Sequence, residues 1–221
     1  MISAQDHKRI GDGDMGANTG GMGAYAPAPV MTKELDKIVY DTILLPAVKA
    51  MKKEGCPFKG CLYAGLMITK DGPQVVEFNC RFGDPETEAI LPLLESDLAK
   101  IMLACTKGTL KKERVEWKNA CAVDIVLASE GYPATHSSGE EIVGLEEAKK
   151  TGCLVFHAGS MKKKGRYFVN GGRVLNVAAV APTLKEARDK AYEGVSKISW
   201  RGMQYRHDIA DKGLKRLKKR K

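Results

Sequence analysis

The stretch EFNCRFGDPETE, residues 77–88, decides how this chain is read. Its first half has the composition of a strand, in which successive side chains point to opposite faces. Glu77, Asn79 and Arg81 therefore fall on one face, with Phe78 and Cys80 on an apolar face behind them. A carboxylate beside an amide oxygen is a pair of hard ligands suited to magnesium, an ion that keeps several waters and is completed by substrate phosphates. Arg81 can set its guanidinium fork on a carboxylate or a phosphoryl oxygen. The plainer alternative is a half-exposed strand carrying a Glu–Arg ion pair. The second half reads as a helix start, with Asp84 at the N-cap, Pro85 at the first position and Glu86 in the first turn. Ile90, Leu93, Leu94, Leu98, Ile101 and Met102 then face a core along one helix.

Upstream, CLYAGLMIT (61–69) and QVVEFNC (74–80) predict a hairpin turning at Lys70-Asp71-Gly72. Before it lies a helix from Thr32, a natural N-cap, with Leu35, Ile38, Val39 and Thr42 on one face until Pro46 bends or breaks it. Residues 1 to about 30 are glycine-rich without periodicity and read as a long loop, a kind of segment that is usually functional when ordered. Within it, Asn18, Thr19, Gly20, Gly21, Met22 and Gly23 allow close approach of backbone N–H groups to an anion, with Asp6, His7, Lys8 and Arg9 just before them. This predicts phosphate handling, with His7 a candidate acid–base group. The formal G-x-G-x-x-G at Gly11, Gly13 and Gly16 is not a dinucleotide fingerprint, because no apolar strand precedes it and no helix follows.

Downstream, Lys107-Gly108 and the charged KKERVEW mark a boundary. Strands follow near 121–129, 153–158 and 166–180, the last folded into a hairpin at Asn170-Gly171-Gly172, with helices near 144–150 and from Leu184 to Ile198. The predicted organisation is α+β throughout, with domains at 1–108 and 118–211 and a basic tail at 212–221. That tail holds seven of the cations; without them 29 cations face 27 acids, so the net charge of +9 is a property of the tail. It reads as a solvated, fraying helix, and without interleaved aromatics it predicts no nucleic-acid partner. No window approaches a membrane span and the start lacks a signal-peptide core, so a cytoplasmic protein is expected. Six scattered cysteines without C-x-x-C spacing predict reduced, mostly buried thiols.

The motifs AQDHKR (4–9), NTGGMGAY (18–25), LYAGLM (62–67), EFN-x-RFGDPET (77–87) and LLESDL (93–98) resemble the glycinamide ribonucleotide synthetases, a family of ATP-grasp ligases. VLASEGYP (126–133), VFHAG (155–159), GRVLNV (172–177) and YRHDI (205–209) resemble that family's C-terminal domain. The resemblance implies the C-terminal part of an ATP-grasp domain followed by a small α+β domain. It also implies a two-step ligation in purine synthesis: glycine's carboxylate attacks the γ-phosphate of ATP, and the amine of phosphoribosylamine then displaces phosphate. In that scheme Glu77 and Asn79 match ligands of Mg2+ or Mn2+, and Arg81 stabilises the transferring phosphoryl. Asp84 and Glu86 order the loop or grip the substrate amine. Asn18 to Gly23 line the substrate side, with Asp6, His7, Lys8 and Arg9 as further substrate- or phosphate-binding residues. Met15 stands where the family tends to carry Lys, and Glu88 where it prefers Gln or Met. The family's amino-terminal domain and ATP clamp are expected to precede Met1, so an incomplete ligase is expected, its missing half supplied in cis or in trans. The alternatives are one half of a split ligase or a stand-alone module using its tail on nucleic acid.

Overall fold

The computed structural model of the protein describes residues 1–219. Along the chain run β1 (Gln5–Asp6), β2 (Arg9–Gly11), β3 (Met15–Asn18), β4 (Gly23–Ala26), α1 (Lys33–Val39), α2 (Leu45–Lys53), β5 (Tyr63–Thr69) and β6 (Gly72–Asn79). They are followed by α3 (Glu86–Ile90), α4 (Leu98–Lys107), β7 (Cys121–Ala128), β8 (Ser138–Ile142), α5 (Leu145–Lys150) and β9 (Leu154–His157). The chain ends through β10 (Ser160–Lys163), β11 (Arg166–Asn170), β12 (Arg173–Ala181), α6 (Leu184–Val195) and α7 (Asp211–Lys218). Helices and antiparallel sheets mix as the patterning predicts. The compact units, however, do not follow the boundaries read at 108 and 118. One comprises Met1–Ala28, Asp84–Leu93 and Asn119 onward; the other comprises Pro29–Gly83 and Leu94–Lys118.

The first unit is built on a five-stranded sheet of order β1-β4-β7-β12-β9, antiparallel at every step. β7 is central, and CAVDIVLA is buried from Ala122 onward. Its register sets Ile125 between Gly23 and Val177, and Asp124 between Ala24 and Ala178. α6 covers the Val177 side: a Cβ added at Gly194 would lie 3.1 Å from Val177 Cγ1. Ala187, Ala191 and Val195 are buried there, as their spacing predicts. Thr183 and Glu186 close a capping box at the start of α6, each side chain bonding the other's backbone N–H. Period-two alternation turns Asp124 to the opposite face, and α3 packs on β4 and β7. A separate three-stranded sheet has the order β10-β11-β8.

Several expectations change in this unit. The first thirty residues hold four short strands, and the wholly buried β4 is an interior strand of the main sheet. Strands of two to four residues are too short to carry an alternation that could be detected. β11 and β12 do not pair as a hairpin but belong to different sheets. At that corner Gly171 passes so close to Gly159 that an added Cβ would stand 3.0 Å from the Gly159 Cα. Asp84 is not the N-cap of α3; Pro85 occupies that position without a side-chain cap bond, and the Asp84–Pro85 peptide is cis. Nor does one helix run on to Met102. α3 gives way to a 3-10 turn at Leu91–Leu93 containing Pro92, which has no N–H to donate. The tail is not wholly solvated, because Gly213 of α7 is buried where a Cβ would meet Leu184 and Tyr25 within 3.0 Å. Lys215, Arg216, Lys218 and Lys219 are exposed, while Arg220 and Lys221 lie outside the described residues.

In the second unit Thr32 caps α1, accepting from Leu35 N at 3.1 Å. Pro46 does not break the helix: a π turn at Tyr40–Leu44 precedes it and places it in the first turn of α2. α4 starts afresh at Asp97, whose side chain accepts from Lys100 N at 3.1 Å. β5 and β6 form the predicted hairpin, closed between Thr69 and Gly72. Phe78 is 45% exposed and Cys80 is exposed as well, so the expected apolar backing is absent from this hairpin among the described residues. Of the six cysteines only Cys153 is buried, although all six are reduced. No helix among the described residues is long and apolar enough to cross a membrane.

Candidate functional site

On the hairpin, the pairing of Gly65 with Glu77 and of Tyr63 with Asn79 fixes where the two candidate ligands stand. The register shifts between Gly65 and Leu66, which face Glu77 and Val75, leaving Val76 as the extra residue. This bulge resets the alternation, and the regular stretch beyond it puts Glu77 and Asn79 on one face. Gly65 makes room for the carboxylate arm, since a Cβ there would lie 3.1 Å from Glu77 Cγ. Among the described residues neither the Glu77 nor the Asn79 side chain makes a hydrogen bond or an ion pair, so the structural Glu–Arg pair is not formed. Arg81 lies past the end of β6 in a bend, outside the period-two row, and its Nη1 donates to the Phe82 carbonyl at 3.0 Å. No group of three or more His, Cys, Asp or Glu among the described residues could hold a metal ion. A hard ion held here would thus have two protein oxygens, and the rest of its shell would come from water and phosphate, which suits magnesium.

In the first unit the glycine-rich turn is held down at every amide from Thr19 to Met22. Thr19 N donates to the Lys8 carbonyl at 2.7 Å, Gly20 N to the Tyr132 hydroxyl at 2.9 Å, and Met22 N to the His7 carbonyl at 2.9 Å. Gly21 N donates to Thr19 Oγ1 at 2.9 Å. These groups are therefore spent, which corrects the reading of the turn as a backbone anion nest. Charge on an anion here falls to side chains. Lys8 Nζ stands 2.5 Å from Asp6 Oδ2 and 3.3 Å from the Gly20 carbonyl. On the other side of Gly20 lies Arg173, whose Cζ would be 3.0 Å from a Cβ at that position. Arg173 Nη1 in turn donates to the Asp84 carbonyl and pairs with Asp84 Oδ1, both at 2.9 Å. Gly21, at φ +127°, allows the closest approach, since a Cβ there would meet Pro85 Cδ at 2.3 Å and Asp6 Oδ1 at 2.7 Å.

Asp6, Lys8, Thr19, Gly20, Gly21 and Asp84 are thus brought together. Arg9 and Asn18 face each other across β2 and β3, both exposed, with Arg9 Nη1 donating to the Gly16 carbonyl at 2.6 Å. Met22 and Gly23 are buried, as is Glu86 at 5% exposure. His7 is 1% exposed, its Nδ1 3.0 Å from the Gly23 carbonyl, so it supports the turn from beneath instead of presenting a surface acid–base group. Burial, aided by Arg206 and Lys212, pushes it down to about 4, and it is neutral at pH 7. Burial pushes the Asp6 carboxyl up to about 6 against the Lys8 hydrogen bond, with Glu86 adding to the rise.

Sequence reasoning missed four residues. Arg173 and Tyr132 gave no signal beyond adjacent glycines, and the turn is assembled from sequence positions more than a hundred residues apart. Asp124 was visible as a lone acid in an apolar strand. It is fully buried, neither carboxylate oxygen has a hydrogen-bond partner among the described residues, and burial with Glu88 and Asp84 nearby holds its carboxyl well above the usual range. Arg206, also fully buried, grips Asp208 with Nε and Nη2, each at 2.7 Å, and reaches Asp14 Oδ1 and the Arg9 carbonyl at 3.1 Å.

Two family models match. Residues 1–87 match the ATP-grasp (A) domain of phosphoribosylglycinamide synthetase, and residues 122–212 match its C domain. A chloroplastic phosphoribosylamine–glycine ligase of Arabidopsis thaliana is 51% identical over 97% of this chain and 41% of its own length. A phosphoribosylamine–glycine ligase of Vigna unguiculata is 50% identical over 91% of this chain and 67% of its own length. The crystal structure of a phosphoribosylamine–glycine ligase from Thermotoga maritima superposes with a TM-score of 0.79 at 40% identity, covering 93% of this chain and 50% of the other. The chain spans about half the length of most of the curated relatives it matches.

Proposed function

The chain belongs to the phosphoribosylglycinamide synthetase family, and from that premise we propose that it carries the metal- and phosphate-handling half of a phosphoribosylamine–glycine ligase. The observation that carries this reading is the pair Glu77 and Asn79, on one face of β6 with their side-chain polar atoms committed to no other described residue. The reaction joins ATP, glycine and 5-phosphoribosylamine to give glycinamide ribonucleotide, ADP and phosphate. The remaining parts of the ATP site come from an amino-terminal half in cis or in trans, and the location is cytoplasmic.

Such a ligase works mainly by positioning reactants and neutralising charge. Glu77 and Asn79 would hold Mg2+ or Mn2+, which when bound offsets the charge of the phosphate oxygens. Arg81, free of the strand, is long enough to follow the transferring phosphoryl. Asp84, fixed by Arg173, bears on the substrate amine, and the buried Glu86 orders the loop. Asp6, Lys8 and Arg9 with the turn from Asn18 to Gly23 form the substrate side, His7, Met22 and Gly23 from within.

The test is the double variant Glu77→Ala, Asn79→Ala in the chain completed by an amino-terminal half from a relative. Ligation by the double variant should fall by about a hundredfold or more and lose its dependence on added Mg2+ or Mn2+. A double variant that keeps metal-dependent ligation would sink the metal assignment.

A further inference from the structure

The geometry points to an oxyanion-binding fork at Arg173, formed by its Nε–Nη2 edge together with the Tyr132 hydroxyl beside Gly20. An arginine has five N–H donors in a fixed planar array. In Arg173, Nη1 is committed to Asp84, through both the carbonyl and Oδ1. Nε and Nη2 lie against Gly20, at 3.2 and 3.1 Å from where its Cβ would be, and have no hydrogen-bond partner among the described residues. The side chain is 22% exposed, and neither nitrogen is among the buried polar atoms that lack a partner, so both donors can be reached by an outside group. The side edge of a guanidinium offers two parallel N–H groups to one carboxylate or phosphate.

The surroundings supply the rest of such a site. Tyr132 accepts the Gly20 amide through its hydroxyl oxygen, which leaves the phenolic proton to donate. The Tyr132 ring is held against Gly172, where a Cβ would meet its Cδ2 at 2.4 Å. With the amides of Thr19 to Met22 spent, Arg173 and Tyr132 supply the donors beside the turn. The ligand class is a small anion presenting two oxygens, a carboxylate or a phosphate monoester. This deepens the substrate-side assignment above and rests on it for the identity of the natural ligand.

The probes are inorganic phosphate and acetate, each titrated calorimetrically into the full chain at constant ionic strength balanced with chloride. At least one should bind saturably, and which one does identifies the group as phosphate or carboxylate. Arg173→Lys, which keeps the charge and removes the fork, should weaken that binding by about tenfold or more. Tyr132→Phe should weaken it by a smaller factor, about threefold. Unchanged affinity in Arg173→Lys, or no saturable binding of either probe to the wild type, would overturn the proposal. Should Arg173→Lys lose the native circular-dichroism spectrum, Tyr132→Phe carries the decision, and unchanged affinity there overturns it. Because the readout is binding without turnover, a failed ligation assay and a failed fork remain distinguishable.

Discussion

Asp6 illustrates what a single residue can hold in this molecule. It faces the glycine turn, accepts the His7 amide at 2.6 Å and pairs with Lys8, yet it is mostly buried. With a folded pKa of about 6 against an ordinary 3.8, the folded protein binds this proton more tightly than the unfolded chain does. Its contribution is therefore favourable at low pH and is lost as pH rises from about 4 to about 6. Replacing Asp6 with Asn removes that dependence. Relative to Asp6→Asn, the wild type should lose on the order of 2–3 kcal/mol of unfolding free energy between pH 4 and pH 7, measured by urea titration. A difference that stays flat across that range would contradict the placement of Asp6. His7 works in the opposite sense, costing stability as pH falls from about 6.5 to about 4, but it is common to both proteins and drops out of the comparison. At this scale the sequence showed which residues carry charge and polarity, though not which were covered. His7 adjoins Lys8 in one motif and Met22 lies in the glycine-rich one, and both are held in the interior by long-range backbone bonds, from His7 N to the Gly23 carbonyl and from Val126 N to the Met22 carbonyl.

Elements were legible where a local signal is strong. The helix from Leu184, the turn between β5 and β6, and the apolar run of β7 were all readable because each depends on residues a few positions apart. Thr183→Ala removes the Oγ1 acceptor for Glu186 N and the partner for the Glu186 carboxylate. It should cost about 1 kcal/mol in thermal or urea unfolding, with the far-ultraviolet circular dichroism otherwise native. A loss under a few tenths of a kcal/mol would mean that the box is idle. Elements were not legible where pairing is long-range. β4 is only four residues, Gly23 to Ala26, whose place as an interior strand comes from pairing with β1 and β7. Likewise β11 and β12 are adjacent in sequence and look like a hairpin, yet their partners come from β8 and β7. The break between α3 and α4 follows from Pro92 and the new cap at Asp97, local signals that override the apolar spacing across them.

Across the whole chain, the tightest tie joins its two ends. Arg206 and Asp208 bind the loop at Asp12–Asp14: Asp208 Oδ2 accepts Gly13 N at 2.9 Å, His207 N donates to Asp12 Oδ1 at 2.7 Å, and Lys212 pairs with Asp14. Burial opposes ionisation of Asp208, but the hydrogen bonds from Arg206 and Gly13 outweigh it and hold the carboxyl well below the usual range. Asp208→Ala would strip a fully buried guanidinium of its bidentate partner. Removing one partner of a buried pair typically costs about 3–5 kcal/mol, and the urea midpoint should fall accordingly. A loss below about 1 kcal/mol would show that the clamp is dispensable. No sequence pattern could have announced it, since its partners lie nearly two hundred residues apart. The first unit likewise gathers three separate stretches, so its boundaries follow spatial pairing instead of composition.

The central claim concerns chemistry that the chain supplies in part. The most direct measurement combines it with the amino-terminal half of a relative and follows products with each substrate omitted in turn. The account predicts glycinamide ribonucleotide and ADP in equal amounts, no glycinamide ribonucleotide when glycine or phosphoribosylamine is left out, and no ADP when glycine is left out. ADP formed without glycine, or no product from a folded assembly, would contradict it.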